Sequence, residues 1–196
     1  MMAEPTPKRP SKKKIIMARS AELFRTRGYS ATSMRDIADA VGIEAASLYN
    51  HISAKTDLLR EIIFGIASHC NEHLEELRQS PKTPGEKIEE LIRFHVRLMI
   101  NRYDEYSVMT RDWNHLNETH LPEFARQRRS YVQQMEQIVS DGIASGEFKG
   151  NIDKKLAVMT LFSSLNWMPQ WYDPSGKIDP QLGSQLADML VNGLKK

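Results

Sequence analysis

The chain has 196 residues, a formal net charge of +2 at pH 7, 40% hydrophobic residues and a single cysteine. This length allows a small domain beside a larger one with its own core, while one cysteine excludes an internal disulfide framework. No apolar run is long enough for a membrane span or a signal peptide, so we expect no membrane partner and a cytoplasmic location.

The N-terminal end carries most of the positive charge. Residues 1–60 contain 11 Lys and Arg against 6 Asp and Glu, whereas the remaining residues contain 16 against 19. Residues 1–10 hold three prolines with Lys8 and Arg9 and show no apolar periodicity, so we predict a disordered basic arm. Such an arm could lie along DNA phosphates, and it could equally be a solubilising tail.

Two capping signals predict the first helices. Ser11 can cap a first helix that ends at Gly28, where glycine tolerates the backbone conformation of a helix end. Residues 32–55 then predict two short helices across a tight turn. Ser33 can cap the first of these, and Gly42 supplies the backbone freedom that the corner needs.

The third predicted helix, from about Glu44, has an unusual outer face. Leu48 and Ile52 are spaced to face inward. The outward side chains are small or polar rather than the Glu and Lys of a solubilising surface: Ala45, Ala46, Ser47, Tyr49, Asn50 and His51. Because such groups suit close approach to base edges and phosphates in a major groove, we predict a three-helix, helix-turn-helix DNA-binding head over residues 11–54.

Apolar residues at helical spacing predict six further helices in residues 55–196, which we interpret as a ligand-binding and dimerisation body. The fourth can join head to body, with Ser53 as its candidate cap. The predicted limits are Ala54 to Arg78, the capping box of Thr83 and Glu86 onward, Asp104 to His115, Pro122 to Ser145, Asp153 to Pro169, and Asp179 onward. No strand alternation appears, so the fold is predicted to be all-α, with about nine helices.

The head resembles the TetR (tetracycline repressor) family. The residues that carry the resemblance stand at the family's spacings: Phe24, Gly28-Tyr29, Thr32-Ser33, Ile37-Ala38, Val41-Gly42-Ile43, Ser47-Leu48-Tyr49, His51 and Lys55. Two departures concern operator choice, since Ala45-Ala46 replaces a frequent Lys-Gly and Ile52 a frequent Phe. The resemblance implies a transcriptional repressor that binds a near-palindromic double-stranded DNA operator as a homodimer.

The family pattern also implies roles for individual head residues. Phosphate contacts are expected from Thr32, Ser33, Tyr49, His51 and Lys55. Base contacts are expected from Ala45, Ala46, Ser47 and Asn50, and Arg35 could make either kind.

The body resembles a branch of TetR regulators that control lipid, steroid-ring or aromatic-acid breakdown, several of which respond to acyl-CoA thioesters. Leu165-Asn166-Trp167 and residues 171–176 carry this resemblance. It implies a small apolar effector, with an acyl-CoA as the preferred class. Arg126, Arg128 and Arg129 could receive CoA phosphates, or form a solvated helix face.

Inward aromatic, Met and His side chains of the body could line an effector pocket or simply pack a core. Our pocket candidates are His95, Met99, Trp113, Tyr131 and Trp167. The last two helices carry more apolar surface than one small body can hide, which predicts a four-helix dimer interface. Its candidate residues are Leu161, Leu165, Leu186 and Leu190.

Two other classes of function were weighed. His69, Cys70 and His73 include a histidine pair at metal-ligand spacing, which would suit a metal-sensing regulator, although the neighbouring glutamates favour a solvated polar face. A helical scaffold that does not bind DNA would carry ordinary charges on its third helix. No phosphate loop, nucleophile elbow or activated thiol appears, so we predict no enzyme, no catalytic residues, no metal and no cofactor.

Overall fold

The computed structural model describes residues 11–176 and 179–195, so the predicted basic arm of residues 1–10 lies outside the described residues. The all-α prediction is confirmed. The helices of the described ranges are α1 (Lys12–Arg27), α2 (Met34–Val41), α3 (Ala45–Tyr49), α4 (Lys55–Gln79), α5 (Pro84–Asn101), α6 (Tyr103–Asp112), a 3-10 turn (Trp113–His115), α7 (His120–Ala144), α8 (Lys154–Trp171) and α9 (Leu182–Asn192).

Local capping explains where most helices begin and end. The hydroxyls of Ser33 and Thr83 accept from the backbone N–H three residues on, and the acidic residue at that position accepts from the cap's own N–H. Ser11 and Asp153 cap α1 and α8 through their side chains. Gly42 has a φ of 74°, the left-handed conformation that the corner between α2 and α3 requires. These four caps and the corner are as the sequence predicted.

Several boundaries differ from the predictions, and α7 and α9 begin at His120 and Leu182 rather than at Pro122 and Asp179. Ala54, without a side-chain hydrogen bond, precedes α4, so Ser53 is not its cap. The sixth helix ends at Asp112 and tightens into the 3-10 turn. Pro169 lies inside α8, which continues to Trp171, because a proline near the end of a helix removes only one of its last hydrogen bonds.

Two apolar cores are joined by α4. In the head core, Phe24, Ile37 and Leu48 pack with residues of the first half of α4, such as Leu58. In the body core, residues of its second half, such as Leu74, pack with the later helices. The 25 residues of α4 reach about 37 Å, enough to cross both cores. The predicted domain boundary after residue 54 stays a prediction. Apolar side chains from both sides of this boundary pack together in the head core.

The helices of the body pack in pairs around α4. α9 lies against α5, α8 lies against α7, and α4 contacts α5, α6 and α7. Head and body are in contact because α1 packs along α6. Within the two described ranges, no helix is both long and apolar enough to cross a lipid bilayer.

Candidate DNA-binding surface and effector cavity

The third helix presents its predicted face to solvent. Leu48 is fully buried in the head core and Ile52 nearly so, which turns the opposite side of α3 outward. Tyr49 is 54% exposed, the largest apolar exposure in the head. The other predicted contacts of this segment are exposed, apart from a half-buried Ser47: Ala45, Ala46, Asn50 and His51. This helix can therefore approach a groove without rearrangement.

The start of α2 adds exposed polar groups. The Ser33 hydroxyl accepts from the Asp36 amide, and the Ser33 amide donates to the Asp36 carboxylate at 2.8 Å. The Ser33 hydroxyl also donates to this carboxylate, and the two hydrogen bonds from Ser33, with a smaller contribution from Arg27, hold the pKa of Asp36 below its usual value. Ser33 and Arg35 are both exposed, so either can reach a phosphate beside α3.

Two predicted phosphate ligands have hydrogen-bond partners within the head. The side chain of Thr32 is buried and its hydroxyl donates to the Gly28 carbonyl at 2.9 Å, and its contact with a phosphate stays a prediction. The Lys55 ammonium donates to the carbonyls of Tyr29 (2.9 Å) and Thr32 (2.8 Å) and lies 4.3 Å from the centre of the Tyr29 ring. Lys55 thus ties the loop before α2 to the start of α4.

A cavity of about 90 Å³ lies among α4, α5, α6, α7 and α8. His95, Trp113 and Tyr131 of the predicted pocket line it. Met99 is fully buried in the body core and does not line the cavity, and Trp167, 65% exposed, lines an outer cleft instead. The contact of either residue with an effector stays a prediction.

Sequence reasoning missed most of the lining. The missed residues are Ala67, Cys70, Asn71, Met109, Thr110, Phe124, Gln127, Phe162 and Asn166, whereas Arg128 was named as a possible phosphate ligand. Helical spacing could have identified some of them, since Phe124 and Gln127 lie on the same face of α7 as Tyr131. Cys70 is a buried lining residue whose pKa burial raises to about 12, so its thiol stays protonated.

A chain of three buried polar side chains lies at one wall of the cavity, which His95 and Tyr131 line. His95 lies between two phenols, with 3.1 Å from its Nδ1 to the Tyr106 hydroxyl and 2.9 Å from its Nε2 to the Tyr131 hydroxyl. Burial, and to a smaller extent nearby His73, lowers the pKa of His95 to about 4, while burial raises the pKa of both phenols. All three groups are therefore uncharged at neutral pH.

The burial of His95 predicts an acid-sensitive stability. Unfolded His95 binds a proton near pH 6.5, whereas the folded side chain binds one only near pH 4, so acidification favours the unfolded state. The wild-type protein should lose up to about 3 kcal/mol of unfolding free energy from this group across that window. The measurement is urea unfolding at a series of pH values for the wild type and His95→Gln, whose curve should be flatter. Parallel curves would contradict the assignment.

Two open clefts flank the cavity. One, of about 610 Å³, shares Thr110, Arg128, Phe162 and Asn166 with it and is also lined by Arg111 and Trp167. The Arg128 guanidinium lies over the Trp113 ring, 5.3 Å from its centre. The other cleft, of about 490 Å³, contains Arg126, and Arg129 lines none of these three spaces. Of these three arginines, Arg128 alone lines both the cavity and a cleft.

Contacts of α6 join the cavity to the head. Trp113 lines the cavity and also packs against the head core. Two residues on, the His115 ring stacks 5.3 Å from Tyr29, whose carbonyl holds Lys55. Arg111, paired with buried Asp112, donates to the Phe24 and Arg25 carbonyls at the end of α1. A shift of α6 and its 3-10 turn would therefore reach the end of α1 and the loop before α2.

Exposed apolar side chains on the last two helices identify a second surface. They are Leu156, Met159, Trp167 and Trp171 on α8 and Met189 on α9. The predicted interface residues Leu161 and Leu165 are at most 2% exposed and pack in the body core of the single chain, so their part in an interface stays a prediction. Leu186 and Leu190 are partly buried against that same core.

The suggested metal ligands do not converge. The Nδ1 atom of His69 contacts the carbonyl of Gly65 in its own helix at 2.7 Å, and His73 stacks on Phe94 with ring centres 3.9 Å apart. Cys70 faces the cavity. Across residues 11–176 and 179–195, no group of three or more potential metal ligands gathers.

Comparison with known proteins matches both parts of the chain. The family model "Bacterial regulatory proteins, tetR family" matches residues 16–62, and "Tetracyclin repressor-like, C-terminal domain" matches residues 81–194. The HTH-type transcriptional repressor KstR2 of Mycolicibacterium smegmatis is 27% identical over 203 residues, covering 98% of this chain and 96% of the relative.

Solved structures share the whole fold. The ketosteroid transcriptional regulator KstR2 of Mycobacterium tuberculosis superposes with a TM-score of 0.90 at 22% identity, covering 98% of this chain and 100% of that one. AibR, solved in complex with isovaleryl coenzyme A and operator DNA, superposes with a TM-score of 0.80 at 24% identity, covering 94% and 98%. At these identities the likeness establishes the fold.

Proposed function

Because this chain belongs to the TetR family of bacterial regulatory proteins, we propose that it is a cytoplasmic, homodimeric transcriptional repressor released from a near-palindromic operator by an acyl-CoA. One observation carries the DNA-binding part: α3 holds Leu48 in the core and offers small and polar side chains to solvent. Direct readout is expected from Ser47 and Asn50, while Ala45 and Ala46 allow close approach. Ser33, Arg35, Tyr49 and His51 supply backbone contacts, and Lys55 adds charge beside them.

The base-reading role of Asn50 predicts a loss of DNA-binding affinity that depends on the DNA sequence. Asn50→Ala should weaken binding to DNA from the regulator's own upstream region by about 1 to 3 kcal/mol, because an amide that reads a base edge is removed. Binding to random DNA should change little. The measurement is a gel-shift titration of both DNAs at fixed salt, with Asn151→Ala, an exposed site ahead of α8, as the matched control. Equal losses of affinity for both DNAs would show that Asn50 does not read a base.

The shape of the cavity supports an effector with an apolar part and a charged part. The inner cavity is smaller than the roughly 300–1,000 Å³ of typical ligand pockets, so a ligand must extend into the outer cleft. Arg128, at the junction, offers a planar donor fork suited to phosphate. An acyl-CoA combines these features, and isovaleryl coenzyme A is the ligand in the AibR complex.

Effector binding would act on the head through α6 and α4. An acyl group in the cavity would press on Trp113, and the 3-10 turn would carry that movement to Tyr29 and Lys55. The same movement would tilt α4, which crosses both cores, and change the distance between the two heads of a dimer. Reversing a 99:1 preference for the DNA-bound form takes about 5.5 kcal/mol of differential effector binding.

The test of the effector class follows the same gel-shift assay. Small molecules carried through purification are identified by mass spectrometry, and short and long acyl-CoAs, free fatty acids and steroids are titrated against the DNA complex. An acyl-CoA should release the operator at micromolar concentration. If every compound fails at millimolar concentration, the acyl-CoA proposal is wrong, while the DNA-binding part is judged by the Asn50→Ala result.

A further inference from the structure

The buried chain of Tyr106, His95 and Tyr131 holds one more proton than its contacts use. At neutral pH each phenol carries one O–H, and uncharged His95 carries one N–H. Two hydrogen bonds, at 3.1 and 2.9 Å, join the three side chains. Since three donors serve two contacts, one proton is left to bond elsewhere.

The surroundings of the two phenols decide which of the three donor protons is left without a partner in the chain. Tyr106 is fully buried and does not line the cavity, and within the described residues its hydroxyl has no partner besides His95. If His95 carried its proton on Nδ1, the Tyr106 O–H would be buried without an acceptor, which is strongly disfavoured. With the proton on Nε2, Tyr106 donates to Nδ1, Nε2–H donates to Tyr131, and the free O–H belongs to Tyr131. That residue lines the cavity.

We propose that the Tyr131 hydroxyl is the hydrogen-bond donor of the effector cavity, and that the effector carries a neutral oxygen acceptor on its apolar part. No acidic residue is among the described residues that line the cavity, and Arg128, one helical turn before Tyr131 on α7, lines both the cavity and the outer cleft of about 610 Å³. The inference rests on the proposed function and assigns the position of the effector's carbonyl. In an acyl-CoA the acceptor is the thioester oxygen, with the nucleotide leaving past Arg128.

The first test determines the tautomer of His95 in the absence of any effector. Protein labelled with ¹⁵N at histidine is examined by long-range ¹H–¹⁵N NMR at pH 7, and His95→Gln assigns the signal. Protonated Nε2 with unprotonated Nδ1 is the expected result. Protonated Nδ1 would overturn the inference whether or not any acyl-CoA binds.

The second test removes the acceptor from the ligand. Butyryl-, hexanoyl- and octanoyl-CoA are compared by calorimetry with their alkyl thioether analogues, in which a methylene replaces the carbonyl. The wild type should bind the tightest thioester about tenfold better than its thioether, and Tyr131→Phe should bind the two equally. Tyr103→Phe is the matched control and should keep the preference, because its hydroxyl contacts the Pro169 carbonyl outside the cavity.

The outcomes separate the two proposals. Equal binding of thioester and thioether to the wild type overturns the Tyr131 assignment and leaves the acyl-CoA class intact. If neither binds while Nε2 is protonated, the acyl-CoA class is wrong and the free donor in the cavity is supported. If the Tyr131→Phe protein fails to fold, the proposal is decided by two results on the wild type: the ratio of its thioester affinity to its thioether affinity, and the tautomer of His95.

Discussion

Met189→Asp should convert the protein to a monomer and weaken operator binding by about 10²- to 10⁴-fold. Met189 is 76% exposed, and Leu156 on α8 is 67% exposed, which are large apolar exposures for helices that are otherwise packed. If two copies meet through α8 and α9, a buried carboxylate at that position has no partner and is strongly disfavoured. A dimer that has bound one half-site holds its second head at a high effective concentration beside the other half-site, which strengthens binding by a factor of this size. A monomer lacks this gain in affinity.

Sedimentation measures the oligomeric state of each variant, and gel-shift titration measures its affinity for the operator. Leu156→Asp, on the other helix, should behave in the same way. Gln133→Asp adds the same charge to an exposed position of α7 and should leave both properties unchanged. A wild-type protein that sediments as a monomer at micromolar concentration, or a Met189→Asp protein that remains a dimer, would contradict this interface.

Lys55→Ala should weaken binding to operator and random DNA alike and should also destabilise the head. Its ammonium makes two charge-assisted hydrogen bonds, to the Tyr29 and Thr32 carbonyls, and hydrogen bonds to charged groups contribute about 1.5 to 3 kcal/mol. Without them, the loop before α2 loses its attachment to α4. The expected result is a fall of about that size in unfolding free energy, together with weaker binding on every DNA.

Thermal and urea unfolding separate the positioning role of Lys55 from a simple charge effect. Lys14→Ala removes an equal charge from an exposed position on α1, so it should at most weaken DNA binding and its salt dependence and should leave the unfolding free energy unchanged. If Lys55→Ala unfolds at the wild-type denaturant concentration, its carbonyl contacts add nothing to stability, and Lys55 acts only as a charge near the phosphates.

Much of the head could be predicted from sequence because its determinants are local. Ser33 and Asp36 satisfy each other's backbone groups within one helical turn, and Gly42 adopts its positive φ at the corner itself. Leu48 and Ile52 needed only helical spacing to be placed inside. The TetR resemblance rests on these same short spacings, so fold and DNA-binding function were both within reach of the sequence.

The body depended on which face of each helix the neighbouring helices cover. α8 is apolar on two sides, so its periodicity could not tell buried Leu161 and Leu165 from exposed Leu156 and Trp167. The partners of His95 stand 11 and 36 residues away, and no local pattern pairs them. The TetR resemblance likewise implied a phosphate contact for Lys55, but its carbonyl partners come from the loop before α2. Local hydrogen bonding set the helix ends, whereas the packing of helices distant in sequence decided the cavity, its hydrogen-bond donor and the exposed apolar surface.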